Sequence, residues 1–147
     1  MKQSVRTWIT VLLIGAAFYF VDSFFVGFVA AIAFPAWYAD FAAQYSQLGL
    51  AIWDTVTIVP ITVVVSLAFG AVLAKLVDRR FFLSGLVAVS TAMALAIVIA
   101  SPGNDGLLAT VRNHALPVGW FQIPVFLALW LSLPLAAHYF GNRARSA

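Results

Sequence analysis

Four apolar runs, at about 8–34, 48–77, 81–100 and 118–140, fill most of this 147-residue chain. Each can cross a hydrocarbon layer about 30 Å thick, which takes about 20 helical residues. Backbone groups in lipid must find partners inside their own segment, so runs of this length are helices. Barrel strands would be about 10 residues long with alternating polarity, which these runs lack. The expected fold is therefore all-α: an integral membrane bundle of four transmembrane helices, a single domain over 1–147. The first two runs exceed the minimum length, so they must tilt, bend or protrude.

Composition agrees. Hydrophobic residues are 64% of the chain, charged residues 9%, and the mean hydropathy is +1.03. A soluble domain carries roughly 25% charged residues, so lipid must solvate much of this surface. Of the eight Lys and Arg residues, only Arg112 lies on the far side of the runs. Lys2 and Arg6 precede the first, Lys75, Arg79 and Arg80 separate the second from the third, and Arg143 and Arg145 follow the fourth. The positive-inside rule then places both termini in the cytoplasm, in a cell membrane of the bacterial inner-membrane kind. Basic flanks suit anionic lipid. With no basic stripe, the net charge of +3 does not point to nucleic acid. A basic start and Ala31-Ile32-Ala33 also fit a cleaved signal peptide, but the apolar stretch is about twice the usual 7–15 residues and Asp22 interrupts it.

Short amphipathic segments are expected in both outer loops. Trp37, Phe41, Tyr45 and Leu48 recur on one helical face, Pro35 suits a first turn, and the aromatics suit the headgroup layer. In the second outer loop, Ser101 to Gly106 is a turn signal. Asn104 or Asp105 then caps a helix towards Ala115.

The sharpest pattern inside the spans is a ridge of Ser84, Ala88, Ala92, Ala96 and Ala100, each four residues from the next. Small residues stacked on one face let another backbone come close, so this is a helix-packing face for the same chain or for another copy. Thr55, Thr62, Ser66 and Gly70 form a related face on the second span. Pro60 and Pro134 interrupt helix interiors and are candidate hinges. At Pro60 the carbonyl of Val56 loses its usual partner, and Thr55 or Thr57 is placed to help satisfy groups nearby. Trp130, Pro134 and His138 share a face of the last span.

Asp22 and Asp54 are the exceptions to an apolar interior. A carboxylate at the bilayer centre costs about 2.5–3.5 kcal/mol on insertion scales, and function is the default suspicion for such a residue. At 1.5 Å per residue, Asp54 lies about 30 Å above the inner boundary, at the outer interface, and Asp22 about 21 Å above it. No Lys or Arg shares the depth of Asp22. It must find hydroxyls, water or a proton, with Tyr19, Ser23, Thr57 and Thr62 as partners in reach. Asp22, Tyr19, Thr57, Thr62 and Asp54 form the candidate intramembrane polar site.

Nothing in the chain marks an enzyme. There is no His-Glu-x-x-His, Gly-x-Ser-x-Gly or phosphate loop, and no cysteine. His114 and His138 lie on opposite sides, so no catalytic residue, cofactor or metal is expected. The expected partners are the bilayer and either further copies of the chain or another membrane protein. Rich packing faces and small loops suggest a non-enzymatic accessory or scaffold subunit. The alternatives are a small oligomeric channel or transporter subunit, with Asp22 as a proton- or cation-responsive site, and a membrane immunity or exclusion protein.

Overall fold

The computed structural model describes residues 2–32, 35–44, 46–77, 80–100 and 122–146. Helix α1 spans Lys2–Ala30, α2 Ala36–Gln44, α3 Ser46–Leu76, α4 Phe81–Ala100 and α5 Ile123–Ser146. No strand occurs among the described residues. α1, α3, α4 and α5 are each long and apolar enough to cross a membrane, as their uninterrupted hydrophobic runs require. This is a multi-pass membrane protein. The expected helix from 104 or 105 to 115, with Arg112 and His114, lies outside the described residues, as does Tyr45.

The bounds differ from the apolar runs at their ends. α1 begins at Lys2, not near Trp8, and α5 continues to Ser146 past Phe140. Polar flanks stay helical because helical hydrogen bonds do not require apolar side chains. α3 remains one helix through Pro60. Neither threonine beside the proline serves the Val56 carbonyl. Thr55 donates to the Ala51 carbonyl at 2.7 Å and Thr57 to that of Trp53 at 2.7 Å. A helical threonine reaches the carbonyl four residues back, which rules out Val56 for both.

The long helices form a ring in which α1 packs on α3 and α4, and α5 packs on the same two. α1 and α5 stand on one diagonal, α3 and α4 on the other. Because α3 and α4 run in opposite directions, their diagonal placement makes α3 and α5 parallel neighbours. Ser66 meets Ser132 and Gly70 meets Ala136 in matching order.

Small residues make this ring. A Cβ added to Gly70 would fall 2.5 Å from Ala136 Cβ, and one on Gly85 2.5 Å from Pro134 Cα. One on Gly15 would strike the Ala88 carbonyl oxygen. The three close approaches join α3 to α5, α4 to α5 and α1 to α4. Ser84, Ala88 and Ala92 of the small-residue ridge are buried, and Ala96 is half-buried. Large side chains point outward: Leu13, Phe20, Phe24, Phe28 and Val64 are all exposed. Small inside and large outside is the arrangement of a bundle whose solvent is lipid, since close backbone packing replaces hydrophobic burial as the driving term.

The basic residues Arg6, Lys75, Arg80, Arg143 and Arg145 gather at one end. There the interior is closed by Val11, Leu73, Val77, Phe81, Val89 and Leu133. Phe81 lies against Gly141, and the Arg145 guanidinium sits 4.7 Å from its ring centroid. Arg80 takes a left-handed φ of 58°, and its carbonyl accepts from the Ser84 N–H at 2.9 Å as α4 begins. At the other end Tyr38 of α2 is buried. Its hydroxyl donates to the Gly49 carbonyl at 2.6 Å, and its ring lies 5.3 Å from Trp53.

Candidate functional site

Above the closed layer the four long helices part around a cavity of about 360 Å³. All four contribute to it. Phe18, Asp22, Thr62, Ala92 and Met93 are the buried part of its lining. Ile58, Val59, Val125 and Leu129 form half-buried walls, while Ser23 on the rim is exposed. The cavity exists because the side chains facing inward here are small or short. Ala92, Ala96 and Ala128 leave space where Val89 and Leu133 fill the layer below.

Asp22 is 8% exposed. The Thr62 hydroxyl stands beside its carboxyl across the α1–α3 interface. Its Oδ1 atom is buried and has no hydrogen-bond partner among the described residues. An unsatisfied buried polar atom is expensive, about 1–3 kcal/mol and more where charge is involved. Such an atom in a native interior needs an explanation, and the Asp22 side chain borders a space large enough to hold a partner.

The structure brings Asp22, Tyr19, Thr62 and Ser23 together on the cavity. Thr57 and Asp54 are half-buried on α3 and take no part in the lining. Thr57 is bonded to its own helix instead. Met93 and Phe18 were not legible as site residues, because an apolar side chain in an apolar run carries no mark of its own.

A second polar contact crosses the bundle nearer the basic end. Ser132 donates to the Ala128 carbonyl of its own helix, so its oxygen accepts from Ser66 at 2.7 Å. This pair is satisfied and closed, and it joins α3 to α5. Pro134 is buried against Gly85, whereas His138 is exposed and pairs with Asn142 at 3.0 Å. Their shared face therefore splits between core and surface. The Trp130 indole N–H is buried without a partner among the described residues, away from the cavity lining. No group of three His, Cys, Asp or Glu side chains that could hold a metal occurs among the described residues.

No family model, curated protein or solved structure matches the chain. The site must be read from its own chemistry.

Proposed function

We propose that this protein is a subunit of a small channel or transporter in a cell membrane, with Asp22 as its proton- or cation-responsive group. One observation carries the reading: Asp22, whose carboxyl has one oxygen buried without a partner among the described residues, lines a cavity inside the membrane-spanning bundle. A carboxyl with the Thr62 hydroxyl as its nearest polar neighbour among the described residues retains capacity for a further hydrogen bond or a positive charge. Ionisable residues at such depth, facing a cavity, mark ion and proton paths in membrane proteins. The small-residue faces on α3 and α4 support this reading over a scaffold role, because Gly70, Gly85 and Ala88 are already occupied by helices of the same chain.

The clustering of basic residues at one end supports an orientation with both termini in the cytoplasm, as in a bacterial inner membrane. The cavity then lies towards the outer side and is closed from the cytoplasm by the packed layer around Leu73 and Leu133. A complete path requires that layer to open or several copies to assemble. Pro60 and Pro134 are the positions where α3 and α5 lack a backbone donor and bend at least cost.

Protein in liposomes under a potassium diffusion potential, with a pH dye inside, tests the reading. The wild type conducts protons or monovalent cations, and Asp22→Asn abolishes the flux while leaving assembly on gel filtration unchanged. Equal flux in both, or none in the wild type, removes it.

An accessory or scaffold subunit is the second reading. The outward row of Phe20, Phe24 and Phe28 on α1 favours it, since these exposed rings suit another membrane helix as well as lipid. Native mass spectrometry after mild extraction would then find a dimer, a higher oligomer or a co-purified membrane protein. A clean monomer counts against it.

A further inference from the structure

We propose that the cavity between the four long helices binds a protonated organic amine with an apolar body, the Asp22 carboxyl holding its ammonium group. The proposal rests on the reading of Asp22 as a cation-responsive group and names the class of cation.

Three features of the lining select that class. First, the carboxyl on the lining is that of Asp22, and one of its oxygens, Oδ1, is buried without a partner among the described residues. A ligand that satisfies it must donate a hydrogen bond, and a positive charge strengthens that bond in a low-dielectric site. An ammonium N–H supplies both. Second, the rest of the lining among the described residues is almost entirely apolar, with Phe18, Ile58, Val59, Met93 and Leu129 on the same cavity as the carboxyl. A volume of about 360 Å³ lies within the range of roughly 300–1,000 Å³ of small-molecule sites, whose walls are mostly hydrophobic with a few placed polar groups. Third, the site is poor in oxygen. Calcium takes about 6–8 oxygen ligands and magnesium about six, at fixed distances. Here one carboxyl, the Thr62 hydroxyl and the hydroxyls of Tyr19 and Ser23 are the side-chain oxygens that the described residues bring to the lining. A metal ion would lose more hydration than these groups replace.

Tyr19 adds an aromatic wall beside the carboxyl, and a desolvated ammonium near an aromatic face gains further attraction. Access follows from the rim. Ser23 is exposed and Val26 half-buried on the same face of α1, so the cavity meets the membrane phase in which amphipathic amines concentrate.

The test uses full-length protein in lipid nanodiscs, with naphthylmethylamine as the probe and its neutral isostere naphthylmethanol as the control. Binding is measured by equilibrium dialysis at neutral pH against empty nanodiscs. The amine binds saturably above the empty-disc background, and naphthylmethanol does not. Asp22→Asn, which keeps the shape of the side chain and an acceptor for Thr62, weakens amine binding by about ten- to a hundredfold, the worth of one hydrogen bond to a charged group. Val59→Trp, which fills the cavity while leaving Asp22 in place, abolishes it. If Asp22→Asn does not fold, as judged by circular dichroism and gel filtration, Val59→Trp and the neutral isostere decide the matter. Equal binding of amine and alcohol, or amine binding indifferent to both substitutions, overturns the proposal. Asp22-dependent ion flux without amine binding overturns it while leaving the channel or transporter reading standing. Saturable, Asp22-dependent amine binding without any flux upholds the site and removes that reading instead.

Discussion

At the scale of single residues, the interior is decided by which hydroxyls meet which acceptors. Thr62 stands beside Asp22 on the cavity and Thr57 does not, although both are threonines on one helix within five residues. Five residues rotate a helix by about 140° beyond a full turn, so only one of the pair faces α1. Position along the helix was therefore legible and rotation was not. Counting residues placed Asp22 in the membrane without a basic partner, but could not choose between its neighbours. Replacing Thr62 by Val removes the donor while keeping the volume. Its expected cost is about 0.6 kcal/mol and at most about 1.7, the span measured for hydrogen bonds between membrane helices. Reversible unfolding in mixed micelles with increasing dodecyl sulfate measures it. A loss near zero would mean that the hydroxyl does not hold the carboxyl. Tyr38 gives a second case. Its sequence position beside Trp37 hid its role, since the aromatic spacing drew attention to Trp37, which is 78% exposed. Tyr38→Phe removes the bond to Gly49 and should speed amide hydrogen exchange across α2 without changing the four long helices.

At the scale of elements, helix existence was written in hydropathy, and helix pairing was not. The ridge from Ser84 to Ala96 announced a close neighbour, but small residues fit any backbone that comes near. The steric partners turned out to be Gly15 on α1, beneath Ala88, and the Pro134 region of α5, against Gly85. A graded test follows from the same contacts. Gly70→Leu forces a side chain into Ala136 and should destabilise the bundle by about 1–3 kcal/mol or more, the usual cost of overpacking. Gly27 has nothing within 4 Å of an added Cβ, so Gly27→Leu should leave stability within about 0.5 kcal/mol, as surface changes do. Equal effects at the two positions would show that α3 and α5 are not in close contact. Pro60 illustrates the opposite limit. The sequence located a missing donor in α3, yet the helix runs through it unbroken, because neighbouring turns hold the backbone on both sides.

At the scale of the whole molecule, the order of helices around the ring is the feature with most consequence. Chain neighbours α3 and α4 occupy a diagonal, and α5 fits beside both. The absence of native cysteine makes this testable without background. A chain carrying Ser66→Cys and Ser132→Cys, whose native hydroxyls lie 2.7 Å apart, should form an intramolecular disulfide on mild oxidation. The product would be a faster-migrating monomer on a non-reducing gel. Cross-linked dimer alone would mean that α3 and α5 meet between chains. What the amino-acid sequence determined by itself was the apolar solvent, the number of long helices and the place of each polar residue along its helix, because transfer of a side chain into lipid depends on the side chain itself and on how many residues separate it from the polar flanks. What only the tertiary structure decided was the ring order, the rotation of each helix and the cavity at Asp22. Those depend on how small residues on different helices interlock, and lipid, being as apolar as leucine, exerts no preference among the faces that a uniformly hydrophobic helix could turn inward.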